Sequence, residues 1–183
     1  MFQERIRTAT ELLKTEETYV ESLEVIISCY LQPLRQKAEA MSKPPLSKKA
    51  VELIFSNIET IFGMNSILLE SLRKALSDTE RLKPKNQAGL GEALLKTIPF
   101  LKMYISYVNN FDTAAKKLSK KIQKNSAGLV AFLKEQRKNE RTKGLEIRDL
   151  LVMPIRKPKL NLFESDPCGR DSEGRRLCRK ESI

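Results

Sequence analysis

The side chains of this chain that could do chemistry are carboxylates, amines and three thiols, and their spacing assembles no catalytic set. Histidine is absent. That removes Ser-His-Asp and Cys-His nucleophile systems and every His-ligated metal site. Cys29, Cys168 and Cys178 are odd in number and lack metal-ligand spacing. Cys29 reads as a small buried helix residue. With no disulfide framework and no secretory signal, the expectation is an intracellular, cytoplasmic chain. No glycine-rich loop of the phosphate-cradling kind occurs, and the acids form no pair that can be placed in a pocket. The chemistry left is recognition: single carboxylates accepting charge-assisted hydrogen bonds, and a strong basic field. Neither a cofactor nor a metal is expected, and no covalent catalysis.

The basic field is uneven. The formal charge is +11. From Thr113 to Lys143 the basic residues are Lys116, Lys117, Lys120, Lys121, Lys124, Lys134, Arg137, Lys138, Arg141 and Lys143, against the acids Glu135 and Glu140. The stretch Lys116–Lys143 reads either as the solvated face of a helix or as a surface for an anionic membrane or an acidic protein. The interleaved aromatics of a single-strand binder are missing, so no nucleic acid is expected.

The elements that must position these groups read as helices. Glycine is scarce, and Leu, Lys, Glu, Ile and Ala dominate, which favours helix. A first long helix is expected over Glu4–Gln36, where Ile6, Ala9, Leu13, Val20, Leu23, Ile27 and Leu34 recur at spacings of a single helical face. Pro33 should kink it or begin its end. A loop follows to Leu46, with Ser47 as helix cap. The next stripe is Val51, Ile54, Phe55, Ile58, Ile61 and Phe62, with a bend at Gly63. Then come Ile67, Leu68, Leu72 and Leu76 facing inward. Residues 81–91 read as loop and Leu90–Leu95 as a short helix. Pro99 suits the first turn of a helix over Phe100–Lys124, with Leu101, Tyr104, Ile105, Val108, Phe111, Ala115, Leu118 and Ile122 on one side. Asn125 or Ser126 should cap a helix to Asn139. Leu145–Ile155 reads as a buried helix. From Glu164 to Ile183 apolar periodicity ends, and such a segment is expected to be disordered. No apolar run approaches the length of a membrane span.

Three stretches carry a family resemblance. Glu11–Leu23 (Glu-Leu-Leu-Lys-Thr-Glu-Glu-Thr-Tyr-Val-Glu-Ser-Leu) resembles the first block of the Dbl-homology (DH) domain of Rho-family guanine nucleotide exchange factors. Pro99–Ala114, with Phe100-Leu101, Tyr104, Tyr107-Val108 and Asn110-Phe111, is similar to the family's Phe-Leu, Tyr, Tyr-Val, Asn-Phe pattern. Leu150–Leu162 resembles the start of the family's signature block. Together they cover about residues 2–163.

The resemblance implies an all-α, elongated antiparallel helical bundle over 1–163, followed by an unrelated tail over 164–183. It implies a guanine nucleotide exchange module for a Rac-, Cdc42- or Rho-like GTPase in actin-directed Rho signalling. Such a module binds the switch regions and promotes GDP release. In the family an acidic residue of the first helix hydrogen-bonds switch I, and the matching position is Glu16, flanked by Thr15 and Tyr19. Tyr19 also reads as core or rim packing. Basic residues of the signature block contact switch II, and the matching positions are Arg156 and Lys159. Here the chain departs from the pattern: the glutamine before Arg156 is missing and Leu160 replaces the usual tyrosine. The family's long final helix has no counterpart after Glu164, so the bundle is expected to be incomplete at its C-terminus and exchange impaired. The alternatives are a non-catalytic helical GTPase-binding scaffold and a protein held peripherally on a membrane surface.

Overall fold

Helix-forming composition and a sustained spacing of three and four produce helices. The computed structural model describes residues 2–77, 95, 100–124 and 128–156, and the strand residues 169–170 and 176–177. In chain order these are α1 (Phe2–Val25), a π-helical segment (Ile26–Leu31), α2 (Gln32–Ala40), α3 (Lys48–Phe55), α4 (Ile58–Ser77), α5 (Leu101–Gln123), α6 (Leu129–Arg137), a 3₁₀ turn (Glu140–Thr142) and α7 (Ile147–Arg156). Two-residue strands β1 (Gly169–Arg170) and β2 (Arg176–Leu177) pair antiparallel. The class is all-α, as expected. The domain boundary at 163, the loop expected over 81–91, the short helix expected over Leu90–Leu95 apart from Leu95, which is helical, and the Pro99 and Asn125–Ser126 helix starts lie outside the described residues. No helix among the described residues is long and apolar enough to cross a membrane.

The first helix continues past Pro33. Proline lacks an N–H and its ring crowds the carbonyl four residues upstream. The chain meets this with the wider turn of the π segment directly before it. Pro33 then falls in the opening turn of α2, where a missing N–H costs little. Helix therefore runs to Ala40 rather than fading near Gln36. Ile26, Ile27, Cys29, Tyr30 and Leu31 of the π segment are all buried, Cys29 as expected.

The bend expected at Gly63 lies instead between α3 and α4. Ser56 there adopts φ 50°, and Gly63 sits inside α4 with open space around it. Side-chain amides hold the break. Asn110 of α5 donates to the Leu53 carbonyl at 2.7 Å, and Asn57 donates to the Met103 carbonyl at 3.0 Å. The first of these satisfies a carbonyl in the last turn of α3, which has no partner within the helix. Ser47 occupies the cap position of α3 without a side-chain capping bond, its carbonyl alone receiving Ala50 N–H and Val51 N–H.

α1 and α4 run antiparallel. Leu12 and Leu13 pack on Leu68 and Leu72, and Arg73 reaches Glu17 at 2.9 Å. Nearer the other end of α4, Arg35 of α2 grips Glu59 with two bonds of 3.0 and 2.8 Å. That fork holds the Glu59 carboxyl below its ordinary range. The main core gathers Tyr19 through Leu34 with α3, the start of α4, and inward residues of α5, α6 and α7. Three expected inward positions point out: Ile67 is 61% and Ile105 59% exposed, and Val108 is exposed with them. On α5 the buried line is instead Tyr107, Ala114 and Leu118. Tyr107 turns inward because its hydroxyl donates to the Leu151 carbonyl at 2.9 Å.

Tyr30 lies edge-on to Phe132, with ring centroids 6.4 Å apart. Its buried hydroxyl has no hydrogen-bond partner among the described residues, and burial pushes the phenol up to about 12. An unsatisfied buried hydroxyl costs free energy, while the ring's burial is favourable. Tyr30→Phe is therefore expected to leave stability unchanged or raise it by up to about 1 kcal/mol, read as the midpoint of urea unfolding.

Candidate functional site

The three stretches singled out by sequence meet around one turn of α1. Tyr19 is buried, and its hydroxyl lies 3.2 Å from that of Tyr104 on α5. Tyr104 also meets Asn65 of α4, with the amide oxygen at 3.1 Å and the amide nitrogen at 2.8 Å. Asn65 donates further to the Ile61 carbonyl at 2.6 Å. One helical turn along α5, Tyr107 bonds the backbone of α7 through Leu151. Hydrogen bonds thus tie α1, α4, α5 and α7 at a single level of the bundle.

Glu16 sits one turn before Tyr19. It is 1% exposed, the only charged side chain buried among the described residues. Its place, three residues after Leu13 and four before Val20, lies on the apolar face of α1, and only its charge argues for exposure. Its charge is felt by both phenols. Burial raises the Tyr19 phenol first, then Tyr104, with Glu16 adding to the rise. Tyr104 is also raised by burial; its bonds to Tyr19 and Asn65 pull it back, and Glu16 adds a smaller rise. Both phenols stay protonated through the physiological range and can donate.

The other expected site residues are scattered. Thr15 is exposed, its hydroxyl donating back to the Glu11 carbonyl at 2.8 Å. Arg156 is exposed at the end of α7, on a different helix from Glu16. Lys159 lies outside the described residues. Sequence reasoning misses Asn65. Its signal is a lone amide midway between Ile61 and Leu69 on the buried face of an amphipathic helix.

The hydroxyl of Tyr104 is the junction of this network. Tyr104→Phe is expected to lower stability by about 1–2 kcal/mol, in contrast to Tyr30→Phe, whose hydroxyl holds nothing. Paired urea titrations of the two variants make the comparison.

A family model described as the RhoGEF domain matches residues 8–163. "Kinase and exchange factor for Rac B" of Dictyostelium discoideum is 31% identical over 156 residues, 85% of this chain and 13% of that protein. "FYVE, RhoGEF and PH domain-containing protein 1" of Mus musculus is 31% identical over 166 residues, 90% of this chain and 16% of that protein. The chain spans less than a fifth of the length of either relative. Among solved structures, the DH domain of FARP2 superposes with a TM-score of 0.68 at 27% identity, covering 84% of this chain and 69% of that one. The linker-DH/PH domains of p115-RhoGEF reach a TM-score of 0.71 at 20% identity over 85% of this chain and 46% of that one, a likeness of fold.

Proposed function

The chain belongs to the RhoGEF domain family, and from that premise we propose that it promotes nucleotide release from a Rho-family GTPase. The match over residues 8–163 carries the reading. The names of relatives that specify Rac make a Rac-type GTPase the preferred partner. The mechanism is differential binding: a surface that favours the nucleotide-free GTPase over the loaded one shifts the equilibrium toward release. No covalent bond is made or broken. Thr15, Glu16 and Tyr19 form the switch I side of that surface, and Arg156 with Lys159 the switch II side.

The burial of Glu16 adds a condition. Its carboxylate reaches a GTPase only after the turn around it opens, and the cost of opening subtracts from the binding free energy. The same observation favours a second reading, in which the chain binds a GTPase without accelerating release.

The deciding experiment follows release of a fluorescent nucleotide from Rac, Cdc42 and Rho with the purified chain. Faster release from the Rac-type protein is the expected result. Binding to nucleotide-free GTPase with no acceleration would establish the second reading, and neither binding nor acceleration would overturn both.

A further inference from the structure

The lysines of α5 are not absorbed by exchange. Lys116, Lys117, Lys120 and Lys124 are exposed and fall within an arc of about 100° at about 100° per residue, along about 12 Å of helix, with the half-buried Lys121 at its edge. Ala114 and Leu118 take the buried side. No acid occurs between Asp112 and Glu135. Several basic side chains elsewhere are neutralised locally: Arg35 by Glu59, Arg73 by Glu17, Arg137 by Glu146, Arg141 by Glu24 and Lys143 by Glu21. The α5 lysines enter no ion pair among the described residues. Lys120 and Lys121 in the last turn of α5 and Lys124 at its C-cap offset its dipole, which leaves Lys116 and Lys117 without that role. Two more cations that enter no ion pair among the described residues, Lys134 and Arg148, lie at the same end of the bundle beside the Arg137–Glu146 pair. An apolar notch of about 200 Å³, lined by Ile122, Leu133 and Ile147, is rimmed by Lys134, Arg137 and Arg148.

We propose that the exposed lysine stripe of α5 seats this domain on an anionic phospholipid bilayer. A short row of point-like ammonium groups complements a plane of headgroups, and each cation near such a surface contributes independently. The stripe has no exposed aromatic among its lysines, so it lacks the stacking platform of a single-strand nucleic-acid site. The attachment is additional to GTPase recognition and does not depend on it.

The test is sedimentation of the full chain with phosphatidylcholine vesicles containing or lacking phosphatidylserine, across a salt series. Pelleting is expected only with phosphatidylserine, and release as salt screens the charges. Lys116→Gln/Lys120→Gln/Lys124→Gln is expected to weaken binding on the order of 100-fold, with an unchanged circular dichroism spectrum. The single variants, each weaker by about 5-fold, carry the same readout where the triple variant fails to fold. Vesicle-free nucleotide release should match the parent, so failure here is distinguishable from failure of exchange. Absence of pelleting at low salt, a triple variant that pellets like the parent, or tighter binding to duplex DNA than to the vesicles at equal salt would each overturn the proposal.

Discussion

Glu16→Ala is expected to slow GTPase nucleotide release by roughly 10- to 100-fold, the cost of one charge-assisted hydrogen bond in the productive complex. The variant removes a carboxylate that is buried in the free chain. Two effects must be separated: loss of a GTPase contact, and relief or damage within the bundle. Glu16→Gln separates them, since it keeps shape and hydrogen bonding while removing charge. If the carboxylate contacts the GTPase, both variants lose release activity while thermal unfolding still shows a cooperative fold. A Glu16→Ala protein that melts cooperatively and releases nucleotide at the parent rate would exclude Glu16 from the site.

The second large effect is structural. Leu23→Ala should lower stability by about 3 kcal/mol, within the range for emptying a fully buried leucine site. Leu23 is wholly buried in the main core, one turn beyond Tyr19. Against a typical total of about 5–15 kcal/mol this is a large fraction. Its signature is a lowered thermal midpoint with the far-ultraviolet helical signal retained at low temperature. A shift smaller than that of Tyr104→Phe would mean that Leu23 does not anchor α1.

Much of the helical layout is legible in the order of residues alone. Spacing of three and four finds every long helix among the described residues, because burial against neighbouring helices enforces that period. Spacing fails where polar contacts decide orientation. Ile105 and Val108 belong to the apolar pattern of α5, yet Tyr107 rotates the helix to reach Leu151. The break between α3 and α4 falls at Ser56 and not at Gly63, because amides of Asn57 and Asn110 receive the chain there. Within the site, Glu16 and Tyr19 are visible through a motif on one helix. Asn65 and the hydroxyl of Tyr104 come from separate helices, and no local pattern brings them together. The burial of Glu16 is half legible: spacing sets it between Leu13 and Val20 on the inner face, while its charge argues for exposure unless the packing around it is known.

The π-helical segment has a consequence for gearing. A π turn is an α turn with one residue too many. It lies between the part of α1 bearing Thr15, Glu16 and Tyr19 and the part anchored by Leu34. Were the ladder there to slip to ordinary spacing, everything upstream would revolve by about 100° relative to everything downstream. Such a turn would carry Glu16 from the interior toward the rim without unfolding the helix. The extra residue ahead of Pro33 thus sets the angle at which the front of the longest helix meets the rest of the bundle.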